Sequence, residues 1–187
     1  MKKQLMVHEL NEYYFNNINF EEYNLTFDDG LYSQFFYLPI LDKIKTSKIF
    51  FISTGLIRNG LIRPQFNGKY FDFPTCYEAM CNWVNNEDRE PYMNTNEIKW
   101  MFDNGYKLGG HGHFHLRYFG TKLVDSVNRI KKDIEQMLEW FECNLKFKPD
   151  SYCLPFNIEH TLIRTILKSY DMHTIYDGSR INIEDII

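Results

Sequence analysis

The chain has 187 residues, 44% apolar and 25% charged, a balance that suits one folded domain and excludes a disordered or fibrous polymer. Formal net charge is −4, and the densest basic stretch, Arg129 to Lys132, runs straight into Asp133 and Glu135, so it reads as a solvated helix face and excludes a nucleic-acid partner. No stretch approaches the roughly 20 apolar residues of a membrane span.

In chain order, Met1 to Glu9 starts basic but has no apolar run long enough for a secretory leader, so a cytoplasmic location is expected. Residues 24–28 form the first candidate strand, ended by Asp29-Gly30. Residues 48–53 are a continuous apolar run of the kind found in buried parallel strands. Between them, Phe35, Leu38, Leu41 and Ile44 recur at helical spacing, interrupted by Pro39.

Residues 58–93 read as an irregular insertion with one short helix, because four prolines or glycines punctuate it at 64, 68, 74 and 91. Its rings Tyr70, Phe73 and Trp83 are candidates to line a substrate wall. A helix then starts at a Thr or Asn cap near residue 95, buries Ile98, Met101 and Phe102, and stops at Asn104-Gly105. Residues 106–110 form a third short strand leading into His111. The clearest helix covers about 122–141, with Val127, Ile130, Ile134, Met137, Leu138 and Phe141 at threes and fours. A fourth strand at 151–154, a helix at about 159–168 and a fifth strand at 172–176 follow, and the last residues form a short strand or tail. Strand–helix alternation predicts an α/β fold with a parallel sheet, open or closed into a barrel, as a single domain over 1–187.

In such sheets chemistry gathers at the carboxyl ends of strands. Asp28-Asp29, His111 and Pro155-Phe156-Asn157 all fall there. Three of the six histidines lie in His111-Gly-His113-Phe-His115. In a helical turn His111 and His115 reach one ion while His113 points elsewhere; in an extended segment all three share a face. Imidazole and carboxylate suit zinc, or another divalent cation, with a position left for water. Of the paired aspartates, one can bind the cation and the other act as general base. Asp-Asp-Gly is also a good turn sequence by itself. The four cysteines, Cys76, Cys81, Cys143 and Cys153, form no CxxC pair and are expected to be free thiols.

Leu25-Thr-Phe-Asp-Asp-Gly30 resembles the first motif of the polysaccharide deacetylase (NodB-homology) family. Gly110-His111-Gly-His-Phe-His115 resembles its second, and Pro155-Phe156-Asn157 its third. The resemblance spans roughly residues 24–178 and implies a distorted, here truncated, (β/α) barrel. It further implies a divalent metal held by Asp29, His111 and His115, with Asp28 as base and the Phe156 backbone N–H as oxyanion donor. The implied reaction is hydrolysis of an acetyl or similar acyl group from an amino sugar, with a nucleotide-linked or lipid-linked sugar as the expected substrate.

Three features depart from the family pattern, the first being Asn157 where the third motif usually has glycine. An arginine usual in the third motif is replaced by Cys153, and the final motif, which supplies an acid histidine, should follow the fifth strand, where only residues 179–187 remain. His113 is the candidate replacement acid, with His160 behind it; His173 reads as a packed or solvated strand residue. The alternative is a homologue that retains its metal, binds carbohydrate or regulates, and turns over slowly or not at all; a cupin-type oxygenase built on the histidine run is a weaker third. An open barrel edge points to a homo-oligomer.

Overall fold

The computed structural model describes residues 2–117 and 122–186. Seven parallel strands form one sheet: β1 (Lys3–Val7), β2 (Tyr23–Phe27), β3 (Lys48–Ile52), β4 (Leu108–Gly110), β5 (Ser151–Cys153), β6 (Thr174–Tyr176) and β7 (Ile181–Asn182). Their order across the sheet is β6-β5-β4-β3-β2-β1-β7, a curled and incomplete barrel of the deacetylase type. Five of these strands are the ones the apolar runs predict. β1 is not: Lys3-Gln-Leu-Met-Val7 is short and has no apolar run beyond Leu5-Met-Val7, yet it pairs residue for residue with β2. The tail does become a strand, and β7 docks on the outer side of β1.

The strands alternate with α1 (Glu12–Asn17), α2 (Tyr32–Phe36), α3 (Leu38–Leu41), α4 (Cys76–Asn86), α5 (Thr95–Asp103), α6 (Leu123–Leu145) and α7 (Thr161–Ser169). Pro39 sits in the first turn of α3, where its missing N–H is tolerated, and so the expected single helix divides in two. The α6 stripe Ile130, Ile134, Met137 and Phe141 is fully buried against the sheet. α5 begins at Asn94, whose side chain caps Glu97 N–H while Glu97 reaches back to Asn94 N–H.

Residues 58–93 hold one helix, α4, and wrap one side of the sheet. Arg63 anchors the wrap with two short bonds to the fully buried Glu97 (2.8 and 2.9 Å). Met93 N–H returns to the Gly30 carbonyl, which ties the far end of the segment to the turn after β2. Tyr70 and Phe73 pack against Tyr37, whose centroid lies 6.0 and 5.9 Å away, and Trp83 stacks on Phe114. These three rings belong to packing, whereas Cys76, Tyr77 and Met80 of α4 line the cleft at the carboxyl ends of the strands, Tyr77 being 78% exposed. No helix among the described residues is long and apolar enough to cross a membrane.

Candidate metal centre

Five strand ends meet on one face. β1 ends at His8, β2 at Asp28-Asp29, β4 at His111, β5 at Leu154 to Asn157, and the turn before β7 presents Arg180. Gln34 on α2 is fully buried and donates from Nε2 to both the His8 carbonyl (2.7 Å) and the Asp28 carbonyl (2.6 Å). It locks the first two strand ends side by side. Asp29 adopts a positive φ of 72°, a sparsely populated backbone conformation for a residue with a side chain, and this turns its carboxylate back over the sheet.

His111 and His115 are not on a helix. The segment is a bend in which Gly112 (φ 77°) and His115 (φ 52°) are both left-handed, and the rings meet with centroids 4.8 Å apart. His113 turns away, as the helical reading required, though by a different route. Its Nδ1 lies 2.8 Å from Thr54 Oγ1. Gly55 makes this bend possible: its N–H bonds the His113 carbonyl, and a Cβ there would stand 2.6 Å from the Phe114 ring.

Asp29 Oδ1 stands 3.2 Å from His111 Nε2 and 3.3 Å from His115 Nε2. It is buried and has no hydrogen-bond partner among the described residues. The other ring nitrogen of His111 donates to the Cys153 carbonyl (2.9 Å), which leaves Nε2 to face the carboxylate. An orphaned anionic oxygen between two imidazole nitrogens fits a divalent cation, and one carboxylate with two imidazoles is a donor set that suits zinc with a position left open.

Electrostatics agree. Burial alone favours a neutral Asp29, but the two imidazoles hold it ionised, well below the usual carboxylate range. Burial, aided by His111, pushes His115 down to about 4 against the pull of Asp29, so His115 is neutral. Burial works against charge on His111 too, yet Cys153 and then Asp29 raise it well above its ordinary value.

Asp28 points to a different partner. Arg180 grips it with two parallel bonds of 2.8 Å and reaches Thr26 Oγ1, Cys153 Sγ and Asn157 Oδ1, each at 3.0 Å. Burial favours the neutral carboxyl, but the Arg180 guanidinium keeps Asp28 below its ordinary pKa. Cys153 Sγ lies 3.3 Å from Asp28 Oδ2, and burial together with Asp28 pushes the thiol up to about 11.

The cleft above these groups has a volume of about 420 Å³ and is lined by His8, Cys76, Tyr77, Arg117 and Phe156 among others. Phe156 and Asn157 both have positive φ (56° and 53°), so Asn157 takes the turn a glycine would, and the Phe156 ring lies 4.4 Å from the His115 ring. A larger hollow beneath the sheet, between Phe102, Tyr106 and Phe147, brings no histidine or cysteine together.

The polysaccharide deacetylase sequence profile matches residues 17–175. The chain belongs to the polysaccharide deacetylase family. No curated protein matches it. Among solved structures, the chain is similar to a de-N-acetylase of Aggregatibacter actinomycetemcomitans (12% identity, TM-score 0.65, 97% of this chain and 93% of that one). It is also similar to IcaB of Ammonifex degensii (14%, 0.64, 97% and 84%) and to the deacetylase domain of BpsB from Bordetella bronchiseptica (12%, 0.59, 86% and 69%). At these identities the likeness is one of fold.

Within the deacetylase family pattern, three side chains of this site escape the motifs. Arg180 occupies the neighbourhood of Asp28 where the third motif offers only Cys153, and it arrives from the far end of the chain. His8 brings a ring nitrogen, and Cys76 its sulfur, to within 4.8 Å of an Asp29 oxygen. Of the expected acids, His113 is held by Thr54 and His160 caps α7 on the surface, and neither lines the cleft; His173 is solvated, one of the two readings expected of it.

Asp133 corrects the reading of its helix face as solvated. It is 2% exposed and accepts the N–H of His113 (2.9 Å) and of Phe114 (3.0 Å). Two charge-assisted bonds hold the strained bend that aims His115. Asp133→Ala is expected to weaken cation affinity about 10–100-fold, the range for residues that orient ligands, with Asp133→Asn between the two because it keeps one acceptor. Competition with a chelator of known strength measures it, and an unchanged affinity means the bend holds without this clamp.

Proposed function

We propose that this chain is a hydrolase that removes an acetyl or similar acyl group from an amino sugar or a sugar-linked intermediate. A single divalent cation, zinc by donor chemistry, would be held by Asp29, His111 and His115. The observation that carries the reading is the second carboxylate: Asp28 stands beside the orphaned Asp29 oxygen and is kept ionised by a buried guanidinium.

When bound, the cation supplies Lewis acidity, which polarises the acyl oxygen and makes a water more acidic. Asp28 takes the proton of the attacking water. Oδ2 accepts from both Arg180 and the Cys153 thiol, while Oδ1 keeps a lone pair beside its Arg180 bond, so the ion pair orients the base without consuming it. The Phe156 backbone N–H donates to the oxyanion as the carbonyl carbon becomes tetrahedral. His8 then gives a proton to the departing amine nitrogen, the C–N bond breaks, and a carboxylic acid and a free amino sugar leave. His8 takes the role first sought at His113, because it lines the cleft and His113 does not. Tyr77, which is 78% exposed, offers a ring face for a sugar, while the Phe156 ring is covered by Arg117, 4.5 Å from its centroid.

The alternative of a metal-retaining, non-hydrolytic binder drew its support from a missing arginine and a missing acid. In the hydrolytic reading Arg180 would stand for the first and His8 for the second, which supports turnover over binding alone. Acetate release from N-acetylated amino-sugar oligomers tests the proposal. Activity is expected to vanish on chelation and to return with about one equivalent of zinc per chain. If release by the reloaded protein never exceeds that of the stripped protein, the hydrolytic reading fails.

A further inference from the structure

Asp29 has a second face. Its Oδ1 looks toward the two imidazoles, while Oδ2 accepts a hydrogen bond from the Cys76 thiol at 3.0 Å. His8 completes a trio on that side: a His8 ring nitrogen, an Asp29 oxygen and Cys76 Sγ all lie within 4.8 Å of one another. All three residues line the open cleft, so the trio is reachable from solvent.

Nothing in hydrolysis of an amide calls for this sulfur, yet it is built in with care. Cys76 is the first residue of α4, an eleven-residue helix whose N-terminus carries a complete capping box between Thr75 and Glu78. Its backbone N–H is fixed by Glu9 Oε2 at 3.0 Å, so the sulfur has little freedom to swing away from Asp29. Burial and the Asp29 carboxylate hold this thiol protonated, well above its ordinary pKa, so only a bound cation would draw the proton off. Thiolate, imidazole and carboxylate together are a ligand set for a soft divalent cation.

We propose that His8, Asp29 and Cys76 form a second cation site, selective for soft divalent ions such as cadmium or excess zinc, in which the Asp29 carboxylate bridges to the first. The proton now shared between Cys76 and Asp29 Oδ2 goes to solvent as the ion binds. Paired cations joined by one carboxylate stand about 3.5–4 Å apart in known two-metal sites. Occupation of this site takes the His8 nitrogen out of proton transfer, so the second ion inhibits. The inference rests on Asp29, His111 and His115 being the first site, and the experiment separates the two.

Metal-free protein is titrated with cadmium, following heat by calorimetry and the ultraviolet thiolate-to-cadmium charge-transfer band. Two equivalents are expected to bind, one bringing the band and the other without it. Cys76→Ser should keep the band-free event and lose both the other event and its band, which also excludes Cys81 and Cys143 as the source. Excess zinc should inhibit the wild-type protein several-fold more than Cys76→Ser at the same concentration. A single binding event in the wild-type protein, or a band that survives in Cys76→Ser, overturns the second site. If His115→Ala leaves the band-free event untouched, it is the first-site reading that fails, whatever happens at Cys76.

Discussion

Arg180→Ala is expected to destabilise the folded chain by about 3–5 kcal/mol, because it leaves the buried Asp28 carboxylate without its counter-charge. Arg180→Lys should recover part of this, since an ammonium keeps the charge and loses the two parallel bonds. The pH dependence follows from the signs. In the native protein Arg180 holds Asp28 below its ordinary pKa, so the pair contributes stability above the unfolded carboxylate pKa. That contribution is lost as pH falls through the lowered folded value. In Arg180→Ala burial acts with its main opponent removed and raises Asp28. The deficit should therefore be largest at alkaline pH and shrink as acid protonates the carboxyl. The acid limb of kcat/KM should move to higher pH in the same variant. Urea unfolding across pH, with the pH–rate profile, checks both; an acid limb that stays put would separate Arg180 from the base.

His8→Ala is expected to lower kcat on an N-acetylated amino sugar about 10²–10⁴-fold while the protein still binds its first cation. The effect should depend on the leaving group. An aryl acetate expels a stable phenolate and needs no proton, so its hydrolysis by His8→Ala should stay close to the wild-type rate. Equal losses on amide and ester would mean that His8 acts by shaping the cleft rather than by giving a proton. A loss of the first cation as well would place His8 among its ligands.

The sequence made the middle of the fold legible because buried parallel strands leave apolar runs and α6 leaves a periodic stripe. It also marked the trio Asp29, His111 and His115, since two of them fall in one five-residue segment and the third lies beside another carboxylate at a strand end. What it hid has a common cause. β1 is five residues long and its partner is set by pairing with β2, which no local pattern encodes. His8 gains meaning only as the residue that follows that strand, and the signal was available as Leu5-Met-Val7 running into a histidine. Arg180 follows a turn, Asp177-Gly178, that looks like a stopping point, and its partner is 152 residues away. Asp133 was grouped with the charges beside it, but at the α6 position next to Ile134 it faces inward, where a carboxylate needs the two N–H donors it finds. Tyr70 and Phe73 were visible as rings, and sequence alone does not tell a ring that packs on Tyr37 from one that meets a sugar.

The adjacency of β7 to β1 sets an order of events when the polypeptide leaves the ribosome. Domains emerge at about 5–20 residues per second, so the β2–β3–β4 ladder can pair well before residue 180 is made. Through that interval the Asp28 carboxyl has no guanidinium beside it and favours staying protonated or open to water. Docking of the late segment thus brings the Asp28 carboxylate its counter-charge as it is buried. A nascent chain arrested just short of Arg180 should have most of its sheet and an Asp28 that stays open to water.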